Sequence, residues 1–218
     1  MFEKSVEELT ELGAQITTAE IAQQPELWRD TLNIYRENKE AIEAFLAEAR
    51  AMGEGRLSVV FTGAGTSDYV GDTCAPYLRH AGNTDLYDFK PIATTDIVSA
   101  PRDFLRAEDP TLVVSFARSG NSLFAAVAVA KELVHNVKFL NITCAPEGKL
   151  AVESADDPNA LTLLIPRAND KGFAMTGSYT CMTLLSTLIF DEASDEQKAE
   201  WVETIAKMGE LLTNTKTS

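Results

Sequence analysis

Positive charge is scarce in this chain: 19 Lys and Arg stand against 33 Asp and Glu, for a net charge of −14. No Lys/Arg cluster stands out, so neither nucleic acid nor an anionic membrane is an expected partner. No run approaches the roughly 20 apolar residues of a membrane span. The acidic N-terminus lacks the basic flank and apolar core of a signal peptide, so a cytoplasmic location is expected. Cysteine is also sparse. Cys74, Cys144 and Cys181 are odd in number, far apart and set in apolar surroundings, which excludes a disulfide framework and fits buried free thiols in a reducing cytoplasm. The two histidines, His80 and His135, fall in no metal-ligand spacing, so no metal and no cofactor is expected. Both sit in the last turn of a predicted helix, where a cation complements the dipole. There is no internal repeat and no low-complexity linker.

What is present is a globular composition, 45% hydrophobic and 24% charged over 218 residues, able to bury roughly 70–75% of the chain's surface. Two stretches share one design, an apolar run ending in glycines and hydroxyls that then opens a helix. The first is Leu57–Thr62 followed by Gly63-Ala64-Gly65-Thr66-Ser67. The second is Leu112–Phe116 followed by Ala117-Arg118-Ser119-Gly120-Asn121-Ser122. Glycines let backbone N–H groups approach a ligand closely, and a helix N-terminus adds unpaired N–H groups and about half a positive charge. Two such turns at the carboxyl ends of parallel strands describe a pocket for a phosphate and its polar carrier. Because the net charge repels anions, that phosphate must rely on local donors.

The first turn begins like a dinucleotide fingerprint, but the position of its third glycine is Asp68, whose carboxylate would oppose a pyrophosphate. No Gly-Lys-Ser/Thr follows, so it is not a P-loop either. A plainer role stays open: Thr66 or Ser67 could simply cap the next helix.

Along the chain, Thr17-x-x-Glu20 reads as a capping box, and one long amphipathic helix is expected from Glu26 to about Met52. Strands are expected at Leu57–Thr62, Thr84–Phe89, Thr111–Phe116, Val137–Cys144 and Leu161–Ile165. Helices are expected at Ser67–His80, Thr94–Ser99, from Leu123 to about His135, Gly148–Ser154, Phe173–Phe190 and Asp195–Leu212. Near-continuous apolar strands separated by helices indicate a parallel sheet covered on both faces. The expected fold is a three-layer αβα domain with about five parallel strands in flavodoxin-like order. It is divided into an N-terminal helical extension, 1–52, and the αβα domain itself, 53–218.

These turns resemble the sugar isomerase (SIS) domain of phosphosugar-binding proteins. Ala93–Ser99, Ser115–Ser122, Asn169–Thr176 and Gln24–Trp28 sharpen this to a resemblance to tagatose-6-phosphate ketose/aldose isomerases, a family also described as galactosamine-6-phosphate deaminase/isomerases. The resemblance runs from about Leu12 to Leu212 and implies an amino- or keto-hexose 6-phosphate as ligand. It implies that Gly65, Thr66 and Ser67 contact the sugar phosphate. Ser119 and Ser122, with the backbone of Arg118, Gly120 and Asn121, would cradle the phosphate. Phe173 and Ala174, at the start of a helix, would offer backbone contacts to the sugar. The Arg118 guanidinium could reach the phosphate or pair with a neighbouring carboxylate.

Such isomerases usually carry two of these domains, with the Glu and His for proton transfer in the second. Here no general base or ring-opening acid can be assigned. Asp68 and Asp72, one helical turn apart, and Glu147, beyond the fourth strand, are candidates, though acidic residues in a first turn also serve the dipole. The expectation is therefore a truncated or half-enzyme isomerase/deaminase, or a non-catalytic phosphosugar-binding module. A lone domain of this kind is expected to self-associate, most simply as a dimer.

Overall fold

The computed structural model describes residues 2–119 and 124–213. Helices α1 (Val6–Glu11), α2 (Gln15–Ala22), α3 (Gln24–Glu37) and α4 (Lys39–Arg50) precede strand β1 (Leu57–Gly63). There follow α5 (Asp68–Ala81), β2 (Tyr87–Pro91), α6 (Thr94–Ser99), α7 (Pro101–Phe104), β3 (Thr111–Ala117) and α8 (Phe124–Leu133). The chain continues through β4 (Val137–Thr143), α9 (Lys149–Ser154), β5 (Ala160–Leu164), α10 (Gly177–Phe190) and α11 (Asp195–Thr213). The strands pair in parallel throughout, in the order β2-β1-β3-β4-β5. This is the flavodoxin-like winding, and its chain direction reverses between β1 and β3.

Every residue of β1 and of β3 is buried. Alternate residues face opposite layers, as the pleat requires. Val59, Phe61, Val114, Phe116, Leu140 and Ile142 enter one buried cluster with Leu27, Phe45, Leu78, Leu185 and Val202 of α3, α4, α5, α10 and α11. Val60, Val113 and Phe139 point the other way, against Ile97, Ala126, Ala130 and Leu150 of α6, α8 and α9. The expected three layers and five parallel strands are therefore present. Phe190 packs edge-on against Phe61, Tyr87 and Phe89, each with ring centroids 5.7 Å from its own.

Four expectations need correction. The single long N-terminal helix is two, because Asn38 turns its Nδ2 onto the Ile34 carbonyl at 2.8 Å and leaves helical geometry with ψ 4°, the competition Asn offers a helix backbone. Strand β2 starts later than expected because the Asn83 Oδ1 accepts from the Asp85 and Leu86 N–H groups, both at 3.2 Å, and folds that stretch into a turn. Thr17 caps nothing: α2 has already begun at Gln15, and the Glu20 side chain bonds elsewhere. Helix α10 begins at Gly177 rather than Phe173.

The last shift has one cause. The buried Asp170 carboxylate accepts from the backbone N–H groups of Thr176, Gly177 and Ser178 at 2.9–3.0 Å and from the Thr176 and Ser178 hydroxyls. It thereby takes up the orphan donors at the start of this buried helix. Replacing it leaves those donors without acceptor in a dry interior. Asp170→Ala is expected to cost about 2–4 kcal/mol of stability, and Asp170→Asn, which keeps one acceptor oxygen, less. Denaturant unfolding of both variants against the parent measures this.

Candidate functional site

The turn after β1 is shaped by glycine. A Cβ on Gly63 would sit 2.3 Å from the Ser67 carbonyl group, so only glycine lets the chain fold back this tightly. Gly65 has φ +61°, the left-handed region that glycine enters at little cost. Gly65–Ser67 then form one 3-10 turn leading into α5. Ser67 is buried, Thr66 half-buried and Gly65 exposed. The Ser67 side chain makes no capping bond to α5, so the simple helix-cap role does not describe it. Beneath the turn, the buried Thr62 and Thr94 hydroxyls bond at 3.1 Å and tie the end of β1 to α6.

The second turn leaves β3 next door. Arg118 is half-buried and Ser119 exposed; Gly120, Asn121 and Ser122 lie outside the described residues. The Ser119 carbonyl rests on the third loop of the same edge. A Cβ on Gly148, beyond β4, would be 2.4 Å from that oxygen. The Arg118 Nη1 donates to the Gly172 carbonyl at 3.2 Å.

Ala64, Ser67, Phe116, Ala117, Arg118, Ser119 and Met175 enclose a cavity of about 120 Å³. It has room for several water molecules, the scale of a phosphate group rather than a whole sugar. It lies where β1 and β3 diverge, the switch point at which open α/β sheets hold ligands. The structure thus brings the two predicted turns together and adds Met175 from the loop before α10. Phe173 and Ala174 are not at a helix start. Both are exposed on that loop, with Phe173 wholly in solvent.

Larger clefts exist, one of about 700 Å³ between α2 and residues 166–171 and one of about 470 Å³ along α3. Neither is lined by either glycine turn. Of these three, the small cavity alone is lined by residues of both turns.

Among the described residues, the cavity lining holds no carboxylate and no imidazole. Asp68 lies beside it at the start of α5. Burial, with Asp72 and Asp96 adding, raises its carboxyl above the ordinary value. Asp72 and Glu147 are exposed. His80 is exposed in the last turn of α5, whereas His135 falls past the end of α8, with Nδ1 3.4 Å from Glu108. The three thiols are buried and unbridged. Burial pushes Cys74 and Cys181 up to about 11 and Cys144 up to about 12, so they stay protonated near neutrality. Among the described residues no group of His, Cys, Asp and Glu is placed to hold a metal ion, and no helix is long and apolar enough to cross a membrane.

No family model matches the chain. The D-galactosamine-6-phosphate deaminase AgaS of Shewanella sp. (strain ANA-3) is 42% identical over 189 residues, 85% of this chain and 48% of the relative. A Streptomyces coelicolor protein provisionally given the same name is 45% identical over 188 residues, 84% of this chain and 47% of its own. The crystal structure of tagatose-6-phosphate ketose/aldose isomerase from Escherichia coli matches with a TM-score of 0.81 and 32% identity, over 91% of this chain and 53% of that one. The chain belongs to this family. Its fold is a single SIS domain, and it spans about half the length of the curated relatives it matches.

Within this SIS framework, sequence reading missed Gly148, Met175 and Asp170. Gly148 was legible only as the cap of α9. Asp170 sits seven residues before its helix, too far for a local capping pattern. Gly148→Ala forces a backbone oxygen aside and is expected to lower stability by about 1–3 kcal/mol while displacing the Ser119 turn. Unfolding curves, and titration with inorganic phosphate showing a clear loss of affinity, check both effects.

Proposed function

We propose that this domain binds the phosphate of an amino- or keto-hexose 6-phosphate and serves an isomerase/deaminase of the galactosamine-6-phosphate or tagatose-6-phosphate type. One observation carries the reading: the Gly63–Ser67 turn and the Arg118–Ser119 turn meet around a phosphate-sized cavity at the β1/β3 switch point. The names of the relatives support the substrate class. In this reading Gly65, Thr66 and Ser67 face the ligand from one side. Ser119 and Ser122 donate hydroxyls, with the backbone of Arg118, Gly120 and Asn121, from the other. Phe173 and Ala174 approach the sugar from the loop before α10. Dividing the chain into 1–52 and 53–218, the helices of the first part serve the second, since Leu27, Leu32, Phe45 and Leu46 enter its buried cluster.

A second reading, a module that binds phosphosugar without converting it, is favoured by the cavity lining, which among the described residues holds no acid–base side chain. Aldose–ketose exchange needs a base to move a proton between C2 and C1 and an acid to open the ring, and each missing group forgoes about 10²–10⁴-fold in rate. Self-association would supply such groups from elsewhere. Trp201, Ile205, Met208 and Leu212, at helical spacing on α11, are exposed and support it. Three unbridged buried thiols support a reducing, cytoplasmic setting.

Ser119→Ala is expected to weaken galactosamine 6-phosphate binding by about 1–3 kcal/mol with the fold kept. Calorimetry showing equal affinity in mutant and parent would remove that turn from the site. The 218-residue chain is expected to bind this sugar or tagatose 6-phosphate yet exchange the C2 proton slowly or not at all in D₂O, followed by NMR. Rapid exchange would place the base on this chain, with Asp72 and Glu147 the first residues to replace.

A further inference from the structure

Glu20 lies in the middle of α2, 6% exposed. Its Oε1 accepts from the backbone N–H groups of Lys171 and Gly172 at 2.5 and 2.9 Å, across 151 and 152 positions of sequence. Its Oε2 is buried with no hydrogen-bond partner among the described residues. A buried carboxylate oxygen without a partner is unfavourable, and the two charge-assisted bonds to the other oxygen offset this only in part.

The position is also sterically closed. A Cβ on Gly172 would lie 2.8 Å from the Glu20 Oε2 and 3.3 Å from the Ile16 side chain, so at Gly172 the loop backbone comes directly against side chains of α2. The same Gly172 turns its carbonyl to the Arg118 Nη1. Glu20 holds the N–H of Gly172, and Gly172 holds the guanidinium of the residue that leads into Ser119. The other end of this loop is fixed by Asp170 at the start of α10. The segment between these two carboxylates contributes Met175 to the cavity wall.

We propose that Glu20 is a positioning residue for the phosphate turn. It acts through the Lys171 and Gly172 N–H groups, so that the Gly172 carbonyl sets the direction of Arg118 beside Ser119. This role rests on the phosphosugar reading of the site. It gives α2 a part in ligand binding although the helix contributes no residue to the cavity. Loss of the carboxylate frees the loop, and with it the guanidinium, whereas an amide in its place keeps an acceptor for the same two N–H groups.

The test is a titration series with galactosamine 6-phosphate, by calorimetry, on the full chain and on Glu20→Ala, Glu20→Gln, Arg118→Ala and the Glu20→Ala/Arg118→Ala double variant. Glu20→Ala is expected to weaken binding about tenfold or more, the scale of a lost charge-assisted bond, and Glu20→Gln to recover most of it. Because Glu20 acts through Arg118, the double variant is expected to bind no more weakly than Arg118→Ala alone. A Glu20→Ala effect that appears in full on top of Arg118→Ala, or Glu20→Ala at parent affinity, overturns the role. Should Glu20→Ala fail to fold, Glu20→Asp, whose shorter side chain draws the acceptor away from the Lys171 and Gly172 N–H groups, takes its place in the same cycle with the same expectations. A parent that binds neither this sugar nor inorganic phosphate overturns the phosphosugar reading, and this role with it. A parent that binds while the variants behave additively overturns the role alone.

Discussion

The structure depends on a parallel sheet whose central strands have no solvent face. With β1 and β3 buried at every residue, each side of the sheet must be covered by helices, and each crossover must carry the chain back over one layer. Backbone groups in such a sheet are satisfied by the ladder until the strands end. Only there do N–H groups become free for a ligand. The cavity lined by both glycine turns lies at this carboxyl edge, in the gap between β1 and β3 where successive connections leave in opposite directions.

Glycine converts that gap into a cavity. Gly63 lets the β1 turn fold onto Ser67, and Gly148 lets the β4 loop lie against the Ser119 carbonyl; in both places a Cβ would overlap backbone atoms. These are close approaches between chain segments, so they act on the shape of the edge rather than on its chemistry. Ser67, Ser119 and Arg118 bring polar side chains to the cavity lining, in a chain whose net charge is −14. A phosphate bound there, as proposed, would rely on such local donors, because the overall charge repels anions.

Two buried carboxylates hold the remaining loop. Asp170 gathers the N-terminal donors of α10, and Glu20 gathers two N–H groups of the loop that precedes it. Both use ionised acceptors on backbone donors, bonds roughly twice as strong as neutral ones. Together they leave Phe173 in solvent while Met175 faces the cavity. The loop is specified from its ends, and its tip is left open to the ligand side.

Much of this was legible without coordinates. Strands β1, β3 and β4 announce themselves as apolar runs, and the two Gly/Ser/Thr turns announce the edge where they end, because strand burial and turn chemistry are encoded within a few neighbouring residues. Local signals misled where a side chain bonded across the fold. Glu20 reads as half of a capping box with Thr17, yet it serves a loop 151 positions away, and the apolar stretch from Phe173 reads as helix until Asp170 fixes the start at Gly177. The sequence by itself determined the layered α/β class, the buried thiols and the two glycine turns at the strand ends. Only the tertiary structure decided which helix holds which loop, where Arg118 points and how large the cavity is, because those depend on contacts between segments that no short-range pattern specifies.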